Sequence, residues 1–513
     1  MFWADEVALE LKKRKLPLEW VDDMKTPSGK IHVGALRGVV IHDLAYKSLK
    51  DAGVKAKYTY IFDNHDPMDS LPVYLPKEYE KYLGMPLFKV PSPNKGFANY
   101  AEYYAKDFIN IFTKIGCNPE ILWATGLYES GKMNDSIKEI LDKTEDVKKI
   151  YEKLYKKPLA KDWYPFQVYC TKCGKVSTTK VIDWDGKEVK FTCSVDRLDW
   201  TKGCGFEGKI SPFSSKENIA GKLPWKIEWA VKWKVVGITV EGAGKDHMSK
   251  GGSHDLADEI CKRIIKYPTP YPLGYEFFLI GGKKMSSSKG LGSSAAEMLD
   301  ILPPELLRFL MVKTKLNRAI DFDPSGDTIP NLFDEYQKSA DAYFSRSASG
   351  GDKTNDDLAR IFELSQISKV IKPPTVRFSL LCQWVQMPNM KDEIKKEGLE
   401  EWAKYARVWV DKFAPEEEKF SIQEKLPEAS KNLSKEQKEL LKKIAKELEK
   451  KWTGDDFQTR IYDMGKELGL NGKQTFVAIY LSLIGKDHGP KAAWLILSLD
   501  EKFVAQRFNE ASK

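Results

Sequence analysis

At 513 residues, 42% hydrophobic and 12% aromatic, the chain is long enough for about two to four packed domains and too apolar for a disordered scaffold. Lysine and arginine outnumber acids by eight in a chain that is 30% charged, a basic excess that suits a polyanionic partner without requiring one. No apolar run of about 18 residues could span a membrane, residues 1–18 lack the apolar core of a signal peptide, and seven cysteines are too few and odd in number for a disulfide framework, so a cytoplasmic protein with no membrane partner is expected.

Residues 19–21 read as a short strand. Residues 31–49 read as a helix, because Val33, Leu36, Val40, Leu44, Ala45 and Leu49 recur at three- and four-residue spacing and Gly53 can stop it. Residues 57–62 are β-branched and aromatic, a second strand. Residues 18–63 therefore form a βαβ unit, which implies parallel pairing and a right-handed crossover. The rhythm breaks from 67 to about 225, a stretch rich in Pro, Tyr and Lys that holds five of the seven cysteines and reads as an insertion. The α/β pattern resumes with a strand at 233–240, a helix at 255–265 and a last strand at 277–280. Beyond Phe322 the chain turns helical. Residues 345–355, SRSASGGDKTN, have the composition of a flexible connection. Ser434 and Gln437 form a capping box for an amphipathic helix that runs to Trp452 with Leu440, Leu441, Ile444 and Leu448 on its apolar face.

Three segments carry chemistry. Thr26-Pro-Ser-Gly-Lys-Ile-His-Val-Gly34 lies between the first strand and helix, where Gly29 and Gly34 allow close backbone approach and the helix N-terminus offers N–H groups to a phosphate. His32 can donate to a phosphate or ribose oxygen. Lys284-Met-Ser-Ser-Ser-Lys-Gly290, after the last strand, supplies ammonium charge, hydroxyls and backbone N–H groups, and suits no core role. Gly242-Ala-Gly-Lys-Asp-His247 follows the strand ending at Val240, at the sheet edge where parallel folds bind ligands, and Asp246 is suited to ribose hydroxyls. Read singly, each also fits an ordinary turn or a solvated loop. A fourth constellation, Cys170-x2-Cys173 with Cys193 and Cys204, has the logic of a closed tetrahedral four-thiolate zinc site, with four reduced structural cysteines as the alternative.

At this point the chain resembles the class I lysyl-tRNA synthetases. PSGKIHVGALR matches the first signature of that family, WKIEWAVKWKVVGITVEGAGKDHMSKGGS resembles its Trp-rich strand and GKDH block, and KKMSSSKG resembles its second signature, with Ser287 where many other class I enzymes carry Lys. Tyr480 to Pro490 resembles its late helical motif. The family has Gly two positions before the Thr of the first signature; here that place is Met24.

The resemblance implies an α/β fold: a Rossmann-like parallel-sheet catalytic domain with a zinc-ribbon-containing insertion, followed by an all-α C-terminal domain. The expected bounds are 1–66 and 226–290 for the two catalytic halves, 67–225 for the insertion with its ribbon at about 165–210, 291–344 for linking helices, 345–355 for a linker and 356–513 for an anticodon-binding domain. It implies ATP-dependent activation of L-lysine, with Mg2+ accompanying ATP, and transfer to the 2′-hydroxyl of the terminal adenosine of tRNA(Lys). His32, Lys284 and Lys289 would be catalytic. ATP would be bound by Pro27, Ser28, Gly29, His32, Gly34, Gly244, Asp246, His247, Lys284, Met285, Ser286, Ser287 and Ser288. Lysine would be lined by Asp23, Thr26, Trp225 or Trp229, His247 and Tyr275, since an ammonium wants carboxylate and aromatic contacts. Cys170, Cys173, Cys193 and Cys204 would hold one structural zinc, and a monomer is expected. Two rivals remain open at this level: a glutamyl- or glutaminyl-type synthetase, and a catalytically lapsed tRNA-binding paralogue.

Overall fold

The computed structural model describes residues 1–284, 294–345 and 353–513. The chain folds into two units, one made of Met1–Leu299, Pro304–Phe322 and Ala342–Ile371, the other of Asp300–Pro303, Asp323–Asp341 and Lys372–Lys513.

The first unit opens with helix α1 (Trp3–Lys12), strand β1 (Glu19–Lys25), helix α2 (Val33–Asp51) and strand β2 (Ala56–Phe62). β1 and β2 pair in parallel from Glu19↔Ala56 to Lys25↔Phe62, so the expected βαβ unit is present. Val33, Leu36, Val40, Leu44, Ala45 and Leu49 are all buried on α2. α2 is also pinned by a buried arginine: Arg37 donates to the Phe277, Lys315 and Arg318 carbonyls.

The insertion brings helix α3 (Tyr100–Lys114), strand β3 (Glu120–Trp123) and helices α4 (Ala124–Glu129), α5 (Asn134–Asp142) and α6 (Thr144–Tyr155). β3 pairs in parallel with β2, so residues 67–225 are not wholly outside the catalytic sheet. This four-residue strand is too short for a clear alternation, which is why the pattern hides it. Strands β4 (Gln167–Val168) and β8 (Gly221–Lys222) pair with each other and bracket a small antiparallel sheet of β5 (Thr179–Trp184), β6 (Val189–Cys193) and β7 (Glu207–Ile210); Cys193 ends β6, and Cys170, Cys173 and Cys204 lie in the loops around it.

The segment expected as a Trp-rich strand is helix α7 (Trp225–Val236), closed by Gly237 in the left-handed region at φ 91°. Trp225, Trp229 and Trp233 stand four residues apart, a helical spacing that outweighs the β-branched run at its end. The strand is β9 (Val240–Gly244), so the glycine-rich segment belongs to the strand rather than following it. It leads through helix α8 (Lys245–Met248) into helix α9 (Ser253–Ile260). The last strand of the main sheet is β10 (Tyr271–Tyr275), at an edge, where Pro272 is tolerated. The sheet order is β10-β9-β1-β2-β3, all parallel, and its switch point lies between β1 and β9. The expected last strand is β11 (Phe278–Ile280), which sits instead in a separate sheet with β12 (Lys283–Lys284) and β13 (Ile320–Phe322).

Helix Lys353–Ser365, which runs into the segment expected to open the C-terminal domain, packs in the first unit. Buried Arg308 explains this: it donates to the Leu364 carbonyl, the Ile115 carbonyl and Asp43. Residues 346–352 of the expected linker lie outside the described residues. The second unit is helical from Phe378 to Ala511. Its helix Lys435–Glu447 begins with the anticipated Ser434–Gln437 capping box and buries Leu440, Leu441 and Ile444. Among the described residues no helix is long and apolar enough to cross a membrane.

Candidate active site

Helix α2 begins at His32, whose backbone is extended and whose side chain makes no cap bond, and no acid occupies its first turn. Ala35 N–H donates to the His32 carbonyl, and no carboxylate competes with an anion at this helix start. The turn before it and the carboxyl ends of β1, β9 and β10 enclose a cavity of about 630 Å³. Of the anticipated ATP residues, Ser28, His32, Gly34, Gly244, Asp246 and His247 line it, while Pro27 and Gly29 are buried within the turn. Backbone pairing joins His32 to Ser294, and Ala295 donates to the Ile31 carbonyl, so the chain returns to the turn just beyond the second signature. Met285, Ser286, Ser287, Ser288 and Lys289 lie outside the described residues, as does the Lys284 side chain.

The anticipated amino-acid residues Asp23, Thr26, Trp225, Trp229, His247 and Tyr275 all line the same cavity. Trp225 and Trp229 both face His247, with ring centroids 5.7 and 6.1 Å away. They do so from a helix, not from strand ends. Trp229 is buried and donates its indole N–H to Glu241 at 2.9 Å, so its ring is fixed; Trp225 is 46% exposed at the cavity mouth.

Asp23 is the carboxylate best placed for a cation. Its nearest cationic candidate, His42, stands 3.7 Å away with both ring nitrogens engaged elsewhere: Nε2 meets the Gly242 N–H at 2.9 Å and Nδ1 the Gly38 carbonyl at 2.7 Å. Among the described residues Asp23 forms no ion pair with lysine or arginine. Burial pushes its pKa up, opposed by His42 and by the Met24 N–H that it accepts. Gly38 makes room beside it: a methyl group there would come within 2.6 Å of the Tyr275 hydroxyl and 3.0 Å of Asp23. Burial likewise raises Asp22 and Glu241, register neighbours on β1 and β9.

A second buried network borders the cavity that sequence reasoning missed. Glu228 on α7 is 1% exposed and receives His65 at 3.1 Å, the Tyr128 hydroxyl, Lys222 at 3.3 Å and Lys232 at 3.0 Å. Lys222 also pairs with Asp66 and Lys232 with Asp63. Burial disfavours the Glu228 charge, but His65, Lys222 and Lys232 hold its pKa well below the usual range. The signal was present: Glu228 and Lys232 are four apart within an apolar helix. Asp63, His65 and Glu228 could geometrically ligate a metal, yet two lysine ammoniums already occupy these carboxylates. A smaller concavity of about 340 Å³ in the second unit, beside Gln337 and Pro374, holds none of the signature residues.

The four cysteine sulfurs cluster within 4.8 Å of one another. Cys170 and Cys204 are 3.6 Å apart and Cys173 and Cys193 3.7 Å, with no disulfide. Four sulfurs at about 2.3 Å from a tetrahedral centre stand about 3.8 Å apart, so the donor set fits zinc. The ten residues between Cys193 and Cys204 do not loosen the site, because Gly205 donates to the Cys193 carbonyl and Cys204 N–H reaches the Cys193 sulfur.

Residues 1–368 match the family described as tRNA synthetases class I (K), and residues 378–512 match one described as Anticodon binding domain. The parallel sheet and the helical second unit are thus those of a class I aminoacyl-tRNA synthetase. Among similar proteins, Lysine–tRNA ligase 1 of Methanosarcina acetivorans is 36% identical over 544 residues, covering 100% of this chain and 98% of that protein. A lysine–tRNA ligase of Methanosarcina barkeri is 34% identical, covering 99% and 97%, and one of Archaeoglobus fulgidus is 32% identical, covering 100% of both. The chain belongs to the class I lysyl-tRNA synthetase family.

Proposed function

We propose that the cavity at the β1–β9 switch point is where this chain activates lysine with ATP. The chain is a lysine–tRNA ligase: it forms lysyl-adenylate and passes the lysyl group to tRNA. The observation that carries the site assignment is the convergence on one cavity of the α2 turn, the Gly244–His247 segment and a buried carboxylate, Asp23, that among the described residues pairs with no lysine or arginine.

The α2 N-terminus and His32 take the phosphates. Asp246 takes the ribose. Lys284 and Lys289 add charge from the second signature. Asp23 accepts the substrate ammonium, with Tyr275 beside it and Trp225, Trp229 and His247 walling the pocket. The lysine carboxylate oxygen attacks the α-phosphorus, the bond to the β-phosphate breaks and pyrophosphate leaves. Mg2+ accompanying ATP would supply charge to offset that of the phosphates. The 2′-hydroxyl of the terminal tRNA adenosine then displaces AMP. The chain's contribution is positioning and preorganised charge. The helical second unit takes the anticodon, whose splayed bases offer edges and faces to side chains. Cys170, Cys173, Cys193 and Cys204 would hold a structural Zn2+, which would cross-link the insertion.

A glutamate substrate fits this pocket badly, because its side-chain carboxylate would meet Asp23 and Glu241. The test is lysine-dependent ATP–pyrophosphate exchange by wild type, His32→Ala and Asp23→Asn. Weakened exchange in His32→Ala and a raised lysine KM in Asp23→Asn are expected. Wild-type behaviour in both variants would overturn the site assignment.

A further inference from the structure

The turn that receives ATP is not held by its own backbone. Among the described residues, no backbone-to-backbone hydrogen bond ties down residues 27–30, between the end of β1 and the start of α2. A loop that must present N–H groups to phosphate in one geometry needs another source of order.

Three side chains supply it, all from residues 66–100. The Thr26 hydroxyl donates to Asp66 at 2.5 Å. The Tyr100 hydroxyl donates to the Ser28 carbonyl at 2.9 Å. The Lys30 N–H donates to the Tyr74 hydroxyl at 2.7 Å, and the Lys30 ammonium lies 5.0 Å from the centre of the same ring. Alternate residues of the turn are thus gripped from outside.

The grip is itself well anchored. Tyr100 is fully buried in a cluster with Tyr79 and Tyr104, its ring centroid 4.7 Å from that of Tyr104. It is the first residue of α3, whose start is fixed by Asn99 accepting the Glu102 N–H at 2.9 Å. The Tyr100 N–H also donates to the Val90 carbonyl. Asp66 is held by Lys222.

We propose that Tyr74 and Tyr100 are positioning residues for ATP: their hydroxyls hold the Ser28–Lys30 backbone in the phosphate-accepting form, so that the aromatic cluster of the insertion sets ATP affinity. The inference rests on assigning this turn to ATP. Neither tyrosine is needed for lysine contact, since neither lines the cavity.

The test uses full-length Tyr74→Phe, Tyr100→Phe and the double variant, with Tyr79→Phe as a control from the same cluster. Phenylalanine keeps the ring packing and removes only the hydroxyl. In lysine-dependent exchange each single change should raise the ATP KM about fivefold and the pair on the order of tenfold or more, with lysine KM and melting temperature near wild type. Tyr79→Phe, whose hydroxyl reaches Pro91 rather than the turn, should leave ATP KM unchanged. An unchanged ATP KM in the double variant overturns the inference, whether or not the protein melts earlier, because a purely structural role moves the melt alone. Wild-type exchange in His32→Ala would instead remove the ATP assignment and the inference with it.

Discussion

Glu228→Gln is the sharpest perturbation of the buried network beside the site. Glu228 is 1% exposed and its carboxylate receives two ammoniums, an imidazole and a phenol. Each lysine keeps a second carboxylate, Asp66 for Lys222 and Asp63 for Lys232, so glutamine does not orphan either charge. The loss is two charge-assisted contacts at about 1.5 kcal/mol each, a destabilisation of about 3 kcal/mol, at the low end for breaking a buried ion pair. In a unit this large that lowers the melting temperature by about 4 °C. The pH dependence carries a second signature. Glu228 is held well below its ordinary value of 4.5, so its contribution is complete above that pH and is lost as pH falls through the depressed folded value. The gap between wild type and Glu228→Gln, followed by urea melts at stepped pH, should therefore be widest near neutrality and close on acidification below 4.5. Equal midpoints at neutral pH, or a gap that does not change with acidification, would refute the network as described.

Asp23→Asn should raise the lysine KM by about a hundredfold with ATP KM little changed, as measured by exchange. In wild type the lysine KM should climb as pH falls through the raised Asp23 value, beginning above the ordinary 3.8, because protonation removes the charge that meets the ammonium; Asp23→Asn should lack that limb. Gly38→Ala in mid-helix would ordinarily stabilise by up to about 1 kcal/mol, but here its methyl meets the Tyr275 hydroxyl and Asp23. It should give no gain in melting temperature and raise lysine KM on the order of tenfold. Elemental analysis should find about one zinc per chain, lost in Cys193→Ser together with a lower melting temperature; full zinc in that variant would place the metal elsewhere.

What the sequence made legible follows from how local each signal is. The β1-α2-β2 unit was readable because burial of α2 repeats at helical spacing and β2 is β-branched and aromatic. The four cysteines were readable because ligand type and number survive in one dimension. The strand expected at 233–240 failed because Val235, Val236, Ile238 and Val240 outvoted the four-residue spacing of Trp225, Trp229 and Trp233, and Gly237 divides helix from strand. β10 was hidden by Pro272 and Gly274. The contact between His42 and the Gly242 N–H was illegible, since the two lie two hundred residues apart. So was the grip of Tyr74 and Tyr100 on the first signature, from whose Lys30 and Ser28 they stand 44 and 72 residues away.

The most direct measurement is amino-acid-dependent ATP–pyrophosphate exchange by the wild-type chain across lysine, arginine, glutamate and glutamine. The charge arrangement around Asp23 requires exchange with lysine and none above background with glutamate or glutamine. Exchange supported by glutamate, or by no amino acid with tRNA present or absent, would contradict it.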